Sequence, residues 1–67
     1  MSTSADFFIR DCGSIWIVTP LNDGARKHLR ENVGEEAQWY GRGLVVEPRY
    51  VAGLVEGLQG NGYEVAS

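Results

Sequence analysis

Cys12 and His28, the only cysteine and the only histidine in the chain, are the two side chains that could form a nucleophile and its base. A thiolate–imidazole pair with Asp11 orienting the ring would support covalent catalysis. The spacing does not require the two to meet, and the negative charge of Asp11 next to Cys12 disfavours a thiolate. Cys12 therefore reads as a turn residue. His28, at the edge of an apolar helical stripe, reads as a partly buried structural imidazole. One Cys and one His cannot assemble the four ligands of a structural zinc site. Glu35-Glu36, the only adjacent acidic pair, is too sparse for a hard cation. Gly41-Arg42-Gly43 precedes a strand and lacks both the glycine spacing and the Lys-Ser/Thr ending of a phosphate loop. The sequence assigns no catalytic residue, cofactor or metal, and the expectation is a protein that is not an enzyme.

The elements that would position any other site are clearest between Gly43 and Val65. Leu44-Val45-Val46 predicts a buried strand, and Pro48 fits the first turn of a helix. Val51, Leu54, Val55 and Leu58 recur at i, i+3, i+4 and i+7 to give that helix one apolar stripe. Gly60-Asn61-Gly62 tolerates the conformations that end a helix, and Tyr63-Glu64-Val65 alternates as a strand. Upstream, Phe7-Phe8-Ile9 and Ile15-Trp16-Ile17-Val18 predict a hairpin around Asp11 and Gly13. A second helix follows Thr19-Pro20, capped by Asn22 or Thr19. Leu21, Ala25, Leu29 and Val33 form its apolar side, and Gly34 lies at its end. Glu35-Glu36 reads as a solvated turn, and Ala37 to Tyr40 as a strand leading into the Gly41-Arg42-Gly43 turn.

The resulting order is β-β-α-β-β-α-β in a single α+β domain over residues 1–67. If the first strand is an addition, the remainder is a split βαβ, ferredoxin-like pattern: two layers, with an antiparallel sheet carrying two helices on one face. The strand Ile15–Val18 is apolar on both sides, with Ile15 and Ile17 opposing Trp16 and Val18. In a sheet covered on one face only, one of those pairs faces outward.

Of the 67 residues, 43% are hydrophobic and 22% charged, an ordinary balance for a folded chain. A lone cysteine excludes an intramolecular disulfide framework. No apolar run approaches the roughly 20 residues of a membrane helix, so a cytoplasmic protein without a membrane partner is expected. The net charge is −3: residues 1–34 carry four basic and four acidic groups, and residues 35–67 two basic against five acidic. That balance disfavours a phosphate backbone as partner.

Gly13-Ser14-Ile15-Trp16, Glu36-Ala37-Gln38-Trp39-Tyr40-Gly41 and Val45-Val46-Glu47-Pro48-Arg49-Tyr50 resemble segments of short uncharacterised proteins carried by bacteria and their phages. The resemblance covers most of the chain. It implies a bacterial or phage setting and brings no activity, cofactor or catalytic residue.

The function expected is protein interaction, by self-association as a homodimer or by docking on a partner protein, as for an accessory or inhibitory protein of a mobile element. The candidate interaction residues are Trp16, Val18, Trp39 and Tyr40 on the sheet, and Gly53 and Gly57 on the bare side of the last helix. The alternative is a single-stranded nucleic-acid binder that stacks bases on an aromatic sheet face.

Overall fold

The apolar residues at alternate positions of three neighbouring strands decide which side of this sheet is closed. The computed structural model describes residues 5–34 and 37–67. Its elements are β1 (Phe7–Asp11), β2 (Trp16–Pro20), α1 (Asp23–Asn32), β3 (Trp39–Tyr40), β4 (Gly43–Val46), α2 (Pro48–Gly60) and β5 (Val65–Ala66). The Glu35-Glu36 turn lies outside the described residues.

The sheet order is β3-β4-β2-β1-β5. β1 pairs antiparallel with β2, β2 with β4, and β3 with β4, whereas β1 and β5 run parallel. The sheet is thus mixed, which corrects the antiparallel sheet that the pattern predicts. β1 occupies the place beside β2, so β5 pairs with β1, whose direction it shares.

Ile9 opposes Val18, which in turn opposes Leu44, and Trp16 opposes Val46. Directly opposed residues share a face. Phe7, Val18, Leu44 and Val46 from that face form one core with Ala25 and Leu29 of α1 and Val51 and Leu58 of α2. Phe7 and Val18 are 0% exposed. Burying a side chain of this size contributes about 1.5–3 kcal/mol relative to leaving it in water.

The helices begin and end for local reasons. Asn22 caps α1, its Oδ1 accepting from Ala25 N at 2.7 Å. Leu21, which the spacing assigns to the apolar side of the helix, precedes this cap and is 51% exposed. Its N–H donates instead to Asp6 O. Pro48 opens α2, and beyond Gly60 the Tyr63 N–H reaches back to Leu58 O.

Asp6 gathers the chain where β1, the β2–α1 turn and the approach to β5 converge. Its Oδ2 accepts from Glu64 N and its Oδ1 from Asn22 Nδ2, each at 2.9 Å. Its own N–H donates to Glu64 O. The Glu64 N–H, and secondly the Asn22 amide, hold the Asp6 carboxyl below the usual carboxylate range, against a small opposing effect of desolvation.

A group with a lowered folded-state pKa stabilises the fold above its unfolded pKa and loses that contribution as pH falls through the folded value. Asp6→Ala is expected to lower the melting temperature at pH 7. The gap to the wild type should close as pH falls below about 4, the unfolded carboxylate range. Thermal unfolding followed by circular dichroism from pH 7 to pH 2 checks this, and a gap independent of pH would contradict it.

Candidate functional site

Pleating sends alternate residues to opposite sides of a strand, so the residues left out of the core define a second sheet face. Phe8 opposes Thr19, and Tyr40 opposes Gly43. Thr19 and Gly43 are neighbours, because a Cβ placed on Gly43 would lie 3.1 Å from Thr19 Oγ1. Phe8, Thr19, Gly43 and Tyr40 therefore form one row across the sheet, with aromatic rings at its ends and the smallest groups in the middle. In the adjacent row, Arg10 opposes Ile17 and Ile17 opposes Val45.

These residues line a concavity of about 600 Å³ whose wall contains no helix residue. Phe8 is 40% exposed and Tyr40 73%. Cys12 and Ile15 lie at its hairpin end, and Arg42, in the two-residue β3–β4 turn, at the opposite end. Gly41 has φ +59°, which places a glycine where that turn requires the left-handed region.

The floor of this trough depends on Gly43, which is buried. A Cβ there would stand 2.2 Å from Ile17 Cγ2, so the Ile17 side chain occupies the space that another residue's Cβ would need. Among the described residues two basic groups, Arg10 and Arg42, line this concavity, and no carboxylate does. Among the described residues neither arginine has an ion-pair partner; the two pairs present are Arg26–Asp23 and Arg49–Glu47. Arg42 also borders a smaller cleft beside Asp23 and Arg26.

The residues singled out from the sequence are dispersed by this geometry. Val18 is fully buried and has no surface to offer a partner. Trp16 shares its face, is half-buried and packs against the core, so it cannot serve as an exposed aromatic of the open face. Trp39, opposite Leu44, belongs to the helix side of the sheet, where the guanidinium of Arg30 lies 5.5 Å from its ring. Tyr40 alone of the four sheet residues is on the open face. Gly53 and Gly57 are exposed and line a groove of about 190 Å³ beside His28 and Asn32 of α1.

Cys12 and His28 are not brought together. Cys12 borders the open face, while the His28 ring lies tilted against Tyr63, their centroids 4.7 Å apart, on the helix side. Phe8, Arg10, Arg42 and Gly43 are the functional candidates that reading the sequence alone does not single out. For Phe8 and Arg10 the signal is the alternation of β1: once Phe7 and Ile9 face inward, Phe8 and Arg10 must face outward.

No family model, curated protein or solved structure matches this chain.

Two outcomes test this account of the glycines. Gly43→Ala should cost about 1–3 kcal/mol, the range for overpacking, and much less when Ile17→Ala has already vacated the space. A double-mutant cycle by urea denaturation reads that coupling, and additive effects would show that Ile17 moves freely. At Gly53 and Gly57 an added Cβ meets nothing within 4 Å, so Gly53→Ala with Gly57→Ala should raise stability by about 1–2 kcal/mol through helix propensity alone.

Proposed function

We propose that the protein is a non-enzymatic interaction module that docks through the helix-free face of its sheet. The observation that carries this reading is the trough itself: exposed Phe8 and Tyr40 facing each other across Thr19 and Gly43, with half-buried Ile17 and Val45 beside them. Exposed aromatic and aliphatic groups rimmed by charge mark interaction surfaces more often than an isolated exposed residue does. On this reading the topology is a split βαβ arrangement with β1 inserted between β2 and β5. The setting is the cytoplasm of a bacterium or of a phage-infected cell, where the protein acts as an accessory or inhibitory factor of a mobile element. Its partner is a protein, either another chain or a second copy in a homodimer.

The second reading, single-stranded nucleic acid, draws on Arg10 and Arg42 standing on the same face as Phe8 and Tyr40. Spacing weakens it. β1 and β3 are separated by β2 and β4, which sets the backbones that carry the two rings about 14 Å apart at roughly 4.8 Å per strand. That is too far for one ring to stack on the base next to a base held by the other, and Trp16 and Trp39 are on the wrong side to fill the gap.

The test is co-purification from nuclease-treated host extract with the wild type and with Phe8→Ser plus Tyr40→Ser as bait. The expected result is a set of proteins retained by the wild type and lost by the variant, whose circular dichroism is unchanged. Identical sets on both baits would refute docking through this face. Sedimentation velocity at high micromolar concentration reads self-association directly: a wild-type dimer that Ile17→Asp converts to a folded monomer would place the second copy on this face.

A further inference from the structure

We propose that the trough receives an acidic amphipathic helix of a partner protein, an inference that rests on the interaction reading and names the partner's chemistry. The width selects the shape of the occupant. Phe8 and Tyr40 stand three strand spacings apart, about 14 Å, and a helix with its side chains is about 10–12 Å across. The floor between them is Thr19, Gly43, Ile17 and Val45, with the Ile17 side chain packed over Gly43 so that the floor there is apolar. A helix laid along β2 and β4 would set its apolar stripe on this floor and be walled by the two aromatic rings.

The charges select its sign. Arg42 stands at one end of the trough on the β4 side, and Arg10 stands on the β1 side in the row of Ile17 and Val45. Along the strands the two are about 10 Å apart, at roughly 3.3 Å per residue, which is about two helical turns. Carboxylates on both flanks of the helix, two turns apart, would meet both guanidinium groups. A second copy in the same place would bring two arginines against two arginines with no carboxylate among the described lining residues of either copy, which disfavours self-association here.

The experiment uses the full chain and two synthetic stapled helices with the same leucine stripe, one flanked by glutamates and the other by lysines. Binding is measured by fluorescence anisotropy and located by amide chemical shifts. The glutamate helix is expected to bind about tenfold tighter than the lysine helix, shifting the amides of Ile17, Thr19, Gly43 and Val45. Arg10→Glu with Arg42→Glu, both at exposed positions, should invert that preference while leaving the circular dichroism unchanged. Equal affinity for the two helices, no binding of either, or shifts confined to α1 and α2 would overturn the inference. If sedimentation shows a dimer that Ile17→Asp dissociates, the interaction reading stands and the acidic helix falls. If a twelve-residue oligothymidylate binds this face and Phe8→Ala abolishes that binding, both fall.

Discussion

The carboxylate of Asp6 joins three parts of the chain that are far apart in sequence, and the sheet closes around it. Glu64 lies 58 residues away and Asn22 lies 16 away, yet both donate to the same side chain. Asn22 also caps α1 through its other amide atom. One acidic group thus positions the start of β1, the entry of α1 and the arrival of β5. Backbone bonds from Asp6 and Phe7 to Glu64 O continue that junction into the parallel pairing of β1 with β5. A short parallel pair has no turn of its own to fix its register, so a side-chain tether at its origin supplies what a hairpin would otherwise provide.

With β1 held between β2 and β5, every strand divides its residues between a closed and an open side. The closed side takes Phe7, Val18, Leu44 and Val46 and is covered by both helices. Among the described residues two helices cover that side, and the other side is left to Phe8, Ile17, Val45 and Tyr40 with two arginines. The net charge of the chain misrepresents this face. The described acidic groups stand on helices, in loops or at a strand end and none lines the trough, so a protein of charge −3 presents a locally basic surface there. Local rather than total charge governs which partners can approach.

The parts of this arrangement legible in the sequence are those fixed by neighbours within a few residues. Asn22 as a cap, Pro48 at the head of α2, the Val51–Leu58 stripe and the two hairpin turns are local in that sense, and the chain obeys them. Leu21 fits a four-residue repeat equally well, but its fate depends on the cap one residue later and on Asp6 O. The mixed sheet was hidden because strand order follows from long-range pairing, and Phe7-Phe8 suits an inner strand of either face. For the site, alternation alone separates Trp39 from Tyr40 and Trp16 from Ile17. What alternation leaves open is which set faces the helices. Val18 and Ile17 are nearly interchangeable in hydrophobicity, and the choice depends on Leu44 and Val46 across the strand pair.

A sheet with one uncovered face must also avoid pairing indiscriminately along its edges, and the lengths of the strands bear on how a partner can be read. The edge strands β3 and β5 span two residues each. Short edges are poor templates for an added strand, and two residues give an incoming chain too few backbone bonds for a sequence-tolerant zipper. The inner strands β1 and β2 are five residues long, and their backbone groups are committed to each other and to β4 and β5. Backbone pairing is therefore the weaker route to recognition in this molecule, and side chains on the open face are the stronger one. Recognition by side chains depends on shape and sign: Phe8 and Tyr40 flank an apolar floor in which Ile17 covers Gly43, and Arg10 and Arg42 penalise an occupant whose flanks are positive. Together they turn a face that neither helix covers into one that discriminates among the surfaces that could cover it.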